Sequence, residues 1–483
     1  MELFVSAIAG DIINRSISFL INKYSTEEDL REKTERLQDL LLRVHMIIEE
    51  AEGRYITNSK MLLQLRMLVE VMYQGYHVLD TVKYRTLRRS RTAKEVSSFK
   101  GLSFTTFINQ RHTTSRISIS HVLQTALNNL ESVVSNTKEF ALLLGGCERM
   151  HCSRPYDSYL YIDNFMFSRH MEKQQVINFL LEDNIPPLAP GVLPIIGGIR
   201  VGKKTLIAHA CNNEKVRRHF TWILHLKGER ILRREKEPFI PERTLVVIEF
   251  TSDVDDDNWL EFYSSGKQMA RGTKIVIVSR IEKLSRFGTV KPVYLKILSQ
   301  GEYSYLFKVL AFGSTNPEEH PKLATIAHNL AAELGGSFIS ANMCADMLRK
   351  NQNIHFWRSI YEKYRNVVHK NFSRFGGHPK NLMDKDCPID ATSLASSSLG
   401  TILRIMPPHD EMDDPKRELP RVTFGDLVTG SAALPKEFEF VAWESRIPPY
   451  KRFVNHGTTA HCDEEIFQHQ TGSPCKKRQR LDK

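Results

Sequence analysis

The sequence predicts a multidomain chain: an N-terminal α-helical four-helix bundle over 1–145, an α/β domain with a parallel sheet over 160–300, a helical subdomain over 301–357, and a loosely ordered tail over 358–483. Three observations carry this. Apolar residues recur every three or four positions through most of the first 145, as in helices with one buried face. Short β-branched runs then alternate with helical stretches, the pattern of a parallel sheet covered on both sides. Beyond about Arg358 neither period is sustained.

In the bundle, Val5, Ile8, Ile12, Ile13, Ile17, Leu20 and Ile21 form the first apolar stripe. Ser25 and Glu28 make a capping box for a second helix, striped by Leu30, Leu37, Leu40, Leu41, Val44, Ile47 and Ile48. Asn58 caps a third, with Leu62, Leu65, Leu68, Val69, Met72, Val78 and Leu79. Arg88 to Ser118, rich in Ser, Thr, Arg and Lys, reads as a long loop. A fourth helix follows from His121 to Leu144, and Gly145 to Pro155 is a linker.

The strand candidates of the second unit are Val192 to Ile196, Phe220 to Leu226, Leu245 to Phe250 and Lys274 to Val278. Helical spacing returns over Glu302 to Leu348. In the tail, "VTFGDLVTG" and "FEFVAWESRIPPYKRF" are locally apolar, and the chain closes on the basic "CKKRQRLDK", a candidate nuclear import signal.

Composition narrows the function classes. An apolar fraction of 41% with 25% charged residues is that of a soluble globular protein. The net charge of +11 permits an acidic partner, but it is spread thinly over 483 residues, as on an ordinary solvated surface. Seven cysteines without a C-x-x-C pair fit reduced thiols in the cytoplasm or nucleus, and no zinc spacing is present. No basic leader opens the N-terminus, and no window reaches the roughly 18 to 20 apolar residues that span a bilayer.

The chemistry concentrates in "LPIIGGIRVGKKTLIAHA", Leu193 to Ala210. Gly197, Gly202 and Lys203 stand at the spacing of a phosphate-binding loop between a strand and a helix. Such loops work because converging backbone N–H groups and the helix dipole favour an anion. The residue after the lysine is normally Ser or Thr, whose hydroxyl ligates Mg²⁺; here it is Lys204, with Thr205 one position further on. Ile199 and Arg200 stand where glycine is usual, at a cost of roughly 1–2 kcal/mol for a left-handed conformation. On the strand "TLVVIEF", Glu249 could position a metal, but Phe250 can neither take a proton nor orient water. Asp253, Asp255, Asp256 and Asp257 follow as a solvated acidic turn. The residues thus point to a bound nucleotide, speak against Mg²⁺, and offer no catalytic group.

With these motifs in order, the chain resembles plant intracellular immune receptors of the coiled-coil, nucleotide-binding, leucine-rich-repeat class over roughly Met1 to Trp357. The resemblance implies an Rx-type bundle in which "VMYQGYHVLDTVKYR" stands at an acidic patch, with only Asp80 of its acids kept. It implies that Phe167, Ser168 and Arg169 lie beside adenine, and that Arg280 closes "GTKIVIVSR" as a phosphate-sensing arginine. It also places "LGGSFISA" at a Gly-Leu-Pro-Leu motif whose proline packs on adenine, with Phe338 in the proline's place. After Trp357 the sequence shows no Met-His-Asp motif and no leucine-rich repeats, so a truncated relative is expected.

Three readings remain open. One is a nucleotide-site-degenerate relative acting through protein contacts as helper, decoy or regulator of other immune receptors, with self-association open. Another is a working ADP or ATP switch with weak ATPase activity. The last is a binder of nucleic acid or of a membrane surface through the basic segments.

Overall fold

The computed structural model describes residues 29–97, 105–149, 166–182, 190–232, 242–266, 271–395, 401–407, 419–430, 434–445 and 452–461. Two compact units divide the chain, Met1–Cys152 and Ser153–Lys483. The segments expected as 160–300, 301–357 and 358–483 therefore belong to one unit.

The first unit is helical: α1 (29–52), α2 (Ser59–Ser97), α3 (Thr105–Ser135) and α4 (Thr137–Gly145). The stripe Leu37, Leu41, Val44 and Ile48 of α1 is buried, as are Leu62, Leu65, Leu68, Val69 and Met72 of α2 and Leu123, Leu127 and Leu130 of α3. Asn58 caps α2, its Oδ1 accepting from Lys60 N at 2.8 Å. Gly75 lets the helices close up, because a Cβ there would stand 2.7 Å from Leu41 Cδ2 and 3.1 Å from Leu130 Cδ1. The expected loop over Arg88 to Ser118 is a correction, since α2 continues to Ser97 and α3 begins at Thr105. Arg, Lys, Ala and Glu are good helix formers, so loss of the apolar stripe ended the signal but not the helix. Two short strands, β1 (Arg54–Tyr55) and β2 (Glu148–Arg149), pair antiparallel. The expected first helix and its capping box at Ser25 lie outside the described residues.

The second unit opens with α5 (His170–Leu181), β3 (Gly191–Gly197), α6 (Lys203–Cys211), α7 (Glu214–His219) and β4 (Trp222–Lys227). It continues through α8 (Gly228–Leu232), β5 (Thr244–Phe250), α9 (Asp256–Gly266), β6 (Lys274–Ser279) and β7 (Val293–Leu295). All five strands are parallel, in the order β4-β5-β6-β3-β7. Strands β3, β5 and β6 are buried almost throughout, as continuous apolar runs in a parallel sheet require. Pro194 fits within β3 because Val192, of the same parity, exchanges hydrogen bonds with Thr289, whereas β7 pairs only from Ile195 onward. A proline there gives up no bond to β6.

The topology fixes where a site can form. From the end of β3 the chain crosses to the far edge at β4, while β7 is added on β3's other side. Ligands of open α/β sheets bind outside the carboxyl ends of the strands at such a reversal. Gly197, Phe250 and Ser279 close β3, β5 and β6, so parallel pairing alone brings the phosphate-type loop, Glu249 and Arg280 to one edge.

Helices α10 (Gln300–Phe312), α11 (Pro321–Glu333), α12 (Phe338–Lys350) and α13 (Ile354–Phe375) follow. Among the described residues the expected low-order tail is also corrected. After α14 (Pro379–Asp384) the chain forms β8 (Ile389–Asp390), β9 (Thr401–Met406), β10 (Arg421–Thr423), α15 (Phe424–Thr429), β11 (Glu437–Glu444) and β12 (Arg452–His461). They make a five-stranded sheet in the order β10-β11-β12-β9-β8. Buried Asn371 of α13 locks β8 in place, donating to Asp390 O at 2.7 Å and accepting from Asp390 N at 3.0 Å. Strand β12 also pairs with β9, some fifty positions back, as in His456 with Met406, and spacing along the chain carries no sign of that pairing. Among the described residues no helix is long and apolar enough to cross a membrane.

Candidate functional site

The loop from Gly197 to Gly202 wraps the N-terminus of α6. Gly197 is irreplaceable on steric grounds, since a Cβ would meet Leu295 O at 2.6 Å. Gly202 caps α6 with φ +95, a left-handed conformation that favours glycine. Arg200 is left-handed as well, at φ +57, so the strain expected for a side chain in this loop is present at Arg200. The Arg200 guanidinium lies 3.8 Å from Asp384 of α14.

Lys203 opens α6 and folds back on the loop, its Nζ donating to Gly197 O at 2.7 Å and Gly198 O at 2.6 Å. Burial pushes its pKa down to about 8; Glu249 opposes the shift, and Lys204 and Arg280 add to it. Lys203, Lys204, Arg280 and Glu249 therefore share one electrostatic field. Lys204 Nζ sits 2.5 Å from Glu249 Oε1, an ion pair with both side chains partly exposed. Thr205 follows on α6, half-buried, and exposed Arg280 directly follows β6. Three cations and one carboxylate at a helix N-terminus make an anion-attracting edge.

The neighbouring positions serve the fold. Phe250 is buried in the core beneath the sheet edge, its ring 6.4 Å from that of Trp259. The acidic turn is more than a solvated loop, because Arg286 Nε donates to Asp256 at 2.8 Å, its Nη1 to Asp253 at 3.2 Å, and Asp255 accepts from Asn258 N at 2.8 Å.

The Rx N-terminal domain family matches residues 8–112. The chain is 22% identical over 388 residues to "Disease resistance protein RGA2" of Solanum bulbocastanum, covering 74% of this chain and 38% of that protein. It is 22% identical over 400 residues to "Putative disease resistance RPP13-like protein 1" of Arabidopsis thaliana, covering 74% and 37%. The chain is a homologue of plant disease resistance proteins. It spans under two fifths of the length of these relatives. Among solved structures, domain III of the Thermotoga maritima replication initiation protein DnaA matches at a TM-score of 0.23 and 13% identity, covering 46% of this chain and 93% of that one.

In this disease resistance homologue the segment before α5, placed beside adenine by the resemblance, makes contacts of its own within the chain. Arg169 is buried; its Nη2 donates to Lys296 O, and its Nη1 lies 3.6 Å from Glu172 Oε1. Ser168, left-handed at φ +52, donates to Glu302. Phe167 stacks on Tyr305 with centroids 6.2 Å apart. The segment thus fastens α5 to the start of α10. Phe338 begins α12, half-buried, behind the N-cap Ser337.

The two ligands implied by the fold fare differently. Phosphates fit: the glycine-shaped loop, the α6 N-terminus and the lysines supply donors and positive charge. Mg²⁺ does not, because position 204 has no hydroxyl and its ammonium occupies the carboxylate of Glu249. Sequence reasoning missed Asp384 and the cavity of about 100 Å³ behind the loop, lined by Ile199, Val201, Phe338, Met383 and Phe440 among others. Nothing in the local sequence around Asp384 marks it, because its link to Arg200 spans 184 positions.

Proposed function

We propose that this chain is an immune receptor-like protein acting in plant defence through protein contacts, with an α/β domain that holds the phosphates of ADP or ATP but does not turn them over. The observation that carries the nucleotide part is the left-handed Gly202 turn at the head of α6, with Lys203, Lys204 and Arg280 gathered beside it. Phe250 speaks against turnover, because its place in the core leaves no acid next to Glu249. The N-terminal helical unit, read as a four-helix bundle, offers the partner surface: Leu42, Met46, Leu142 and Leu143 are each more than half exposed. Other immune receptors and host defence proteins are the proposed partners, and the cytoplasm the proposed location. The basic C-terminal cluster proposed for nuclear import lies outside the described residues.

Denaturing the purified full chain and identifying released nucleotide by mass spectrometry tests the reading. ADP or ATP near one per chain is expected, with loss in Lys203→Ala. An empty site in both proteins after incubation with nucleotide would overturn it. That result would favour a second reading, an empty domain used as a scaffold, which draws on the bonds from Lys203 to Gly197 O and Gly198 O.

A further inference from the structure

We propose that the α/β domain binds nucleotide without a divalent metal, the ammonium of Lys204 standing in for the ion. The inference rests on the nucleotide-holding reading and says how the phosphate charge is met. Lys204 occupies the first-turn position of α6 whose side chain normally ligates the metal. Glu249 lies at the carboxyl end of β5, where a carboxylate normally orients that metal. The structure joins these two positions directly, Nζ to Oε1 at 2.5 Å. The two side chains that would cooperate on a metal neutralise each other instead.

Several features support this exchange. An ammonium has three N–H donors, and Glu249 Oε1 takes one, which leaves donors for phosphate oxygens. With relative exposures of 49% and 39% the pair sits at the mouth of the site rather than locked in the core, so a ligand can reach it. Lys203 and Arg280 act on the same field, so a triphosphate meets three fixed cations against one carboxylate. A dication placed on Glu249 would stand in contact with the Lys204 ammonium, and that like-charge contact opposes its entry. Thr205 gives no relief, since one residue further along the helix turns its side chain by about 100°.

The test is equilibrium binding of N-methylanthraniloyl-ATP to the purified full chain, in EDTA and in excess Mg²⁺; ATP is chosen because its β- and γ-phosphates are those a metal bridges. Affinities within about twofold of each other are expected. Lys204→Thr, which restores a hydroxyl and frees Glu249, is expected to bind at least about tenfold tighter in Mg²⁺ than in EDTA. Lys204→Met keeps the side-chain length without the charge, and should weaken binding in EDTA by about tenfold. Wild-type binding that disappears in EDTA, or unchanged affinity in Lys204→Met, overturns the proposal while leaving nucleotide binding intact. Absence of binding by wild type and Lys204→Thr in both buffers overturns the nucleotide reading and this inference with it.

Discussion

Raising the pH from 7 to 9 should weaken nucleotide binding by a factor that Lys203 sets. Its pKa in the folded chain is pushed from 10.5 to about 8, chiefly by burial. Phosphates arriving at α6 would accept the hydrogen bonds now given to Gly197 O and Gly198 O, and their charge favours the ammonium. The free protein then loses this proton as the pH passes 8, while contact with phosphate raises the pKa in the complex and holds the proton there. The complex binds more protons through that window, so affinity falls as pH rises in it. At pH 9 about nine tenths of free molecules carry a neutral Lys203, which for the full shift means a loss of about tenfold, or ~1.4 kcal/mol. Solvent reaching this partly exposed side chain screens the shift and sets the lower bound at about threefold. The assay is fluorescent-nucleotide titration at fixed ionic strength, with Lys203→Arg as the control because guanidinium does not titrate here. A flat profile in wild type, or the same fall in Lys203→Arg, would refute the reasoning. Without ligand, the depressed pKa penalises the folded state below pH 8, and the penalty is relieved as pH rises from 8 to 10.5.

Two other outcomes probe the fold. Asn371→Ala removes the side-chain bonds to both Asp390 N and Asp390 O, leaving buried groups without partners, and should cost about 2 kcal/mol or more; hydrogen exchange at Asp390 should accelerate at least about thirtyfold, and unchanged protection would refute the clamp. Burial raises the thiol pKa of Cys211 to about 11 and that of Cys344 well above its ordinary value, whereas Cys147 and Cys387 are partly exposed. Alkylation of the native chain at pH 8, read by mass spectrometry, should label Cys147 and Cys387 and spare Cys211 and Cys344.

The helical stripes were legible because burial follows a 3.6-residue period: Leu37, Leu41 and Val44, or Leu62, Leu65 and Leu68, need only their own helix to be recognised. The strands β3, β5 and β6 were legible for a similar reason, as continuous apolar runs. Where the stripe is lost, over Arg88 to Ser97 and Thr105 to Ser118, helix reads as loop, since intrinsic propensity is a weaker signal than patterning. The C-terminal sheet had one local clue, the alternation of buried Phe438 and Phe440. Its order depended on pairings such as Ile389 with Ile405 and Phe438 with Gly457, and on Asn371 reaching Asp390.

The candidate site divides in the same way. By itself the sequence determined that a phosphate-type loop stands between a strand and a helix, that Lys204 replaces a hydroxyl, and that Glu249 is followed by an apolar side chain. These are properties of neighbouring residues, and spacing along one chain expresses them. Only the tertiary structure decided that Lys204 and Glu249 meet, that Arg200 reaches Asp384, and that Arg169 fastens to Lys296 and Glu172. Each of these contacts but the last joins elements brought together by the parallel sheet or the C-terminal packing. A side chain's partner is set by which elements the fold stacks side by side, and sequence spacing carries no measure of that distance.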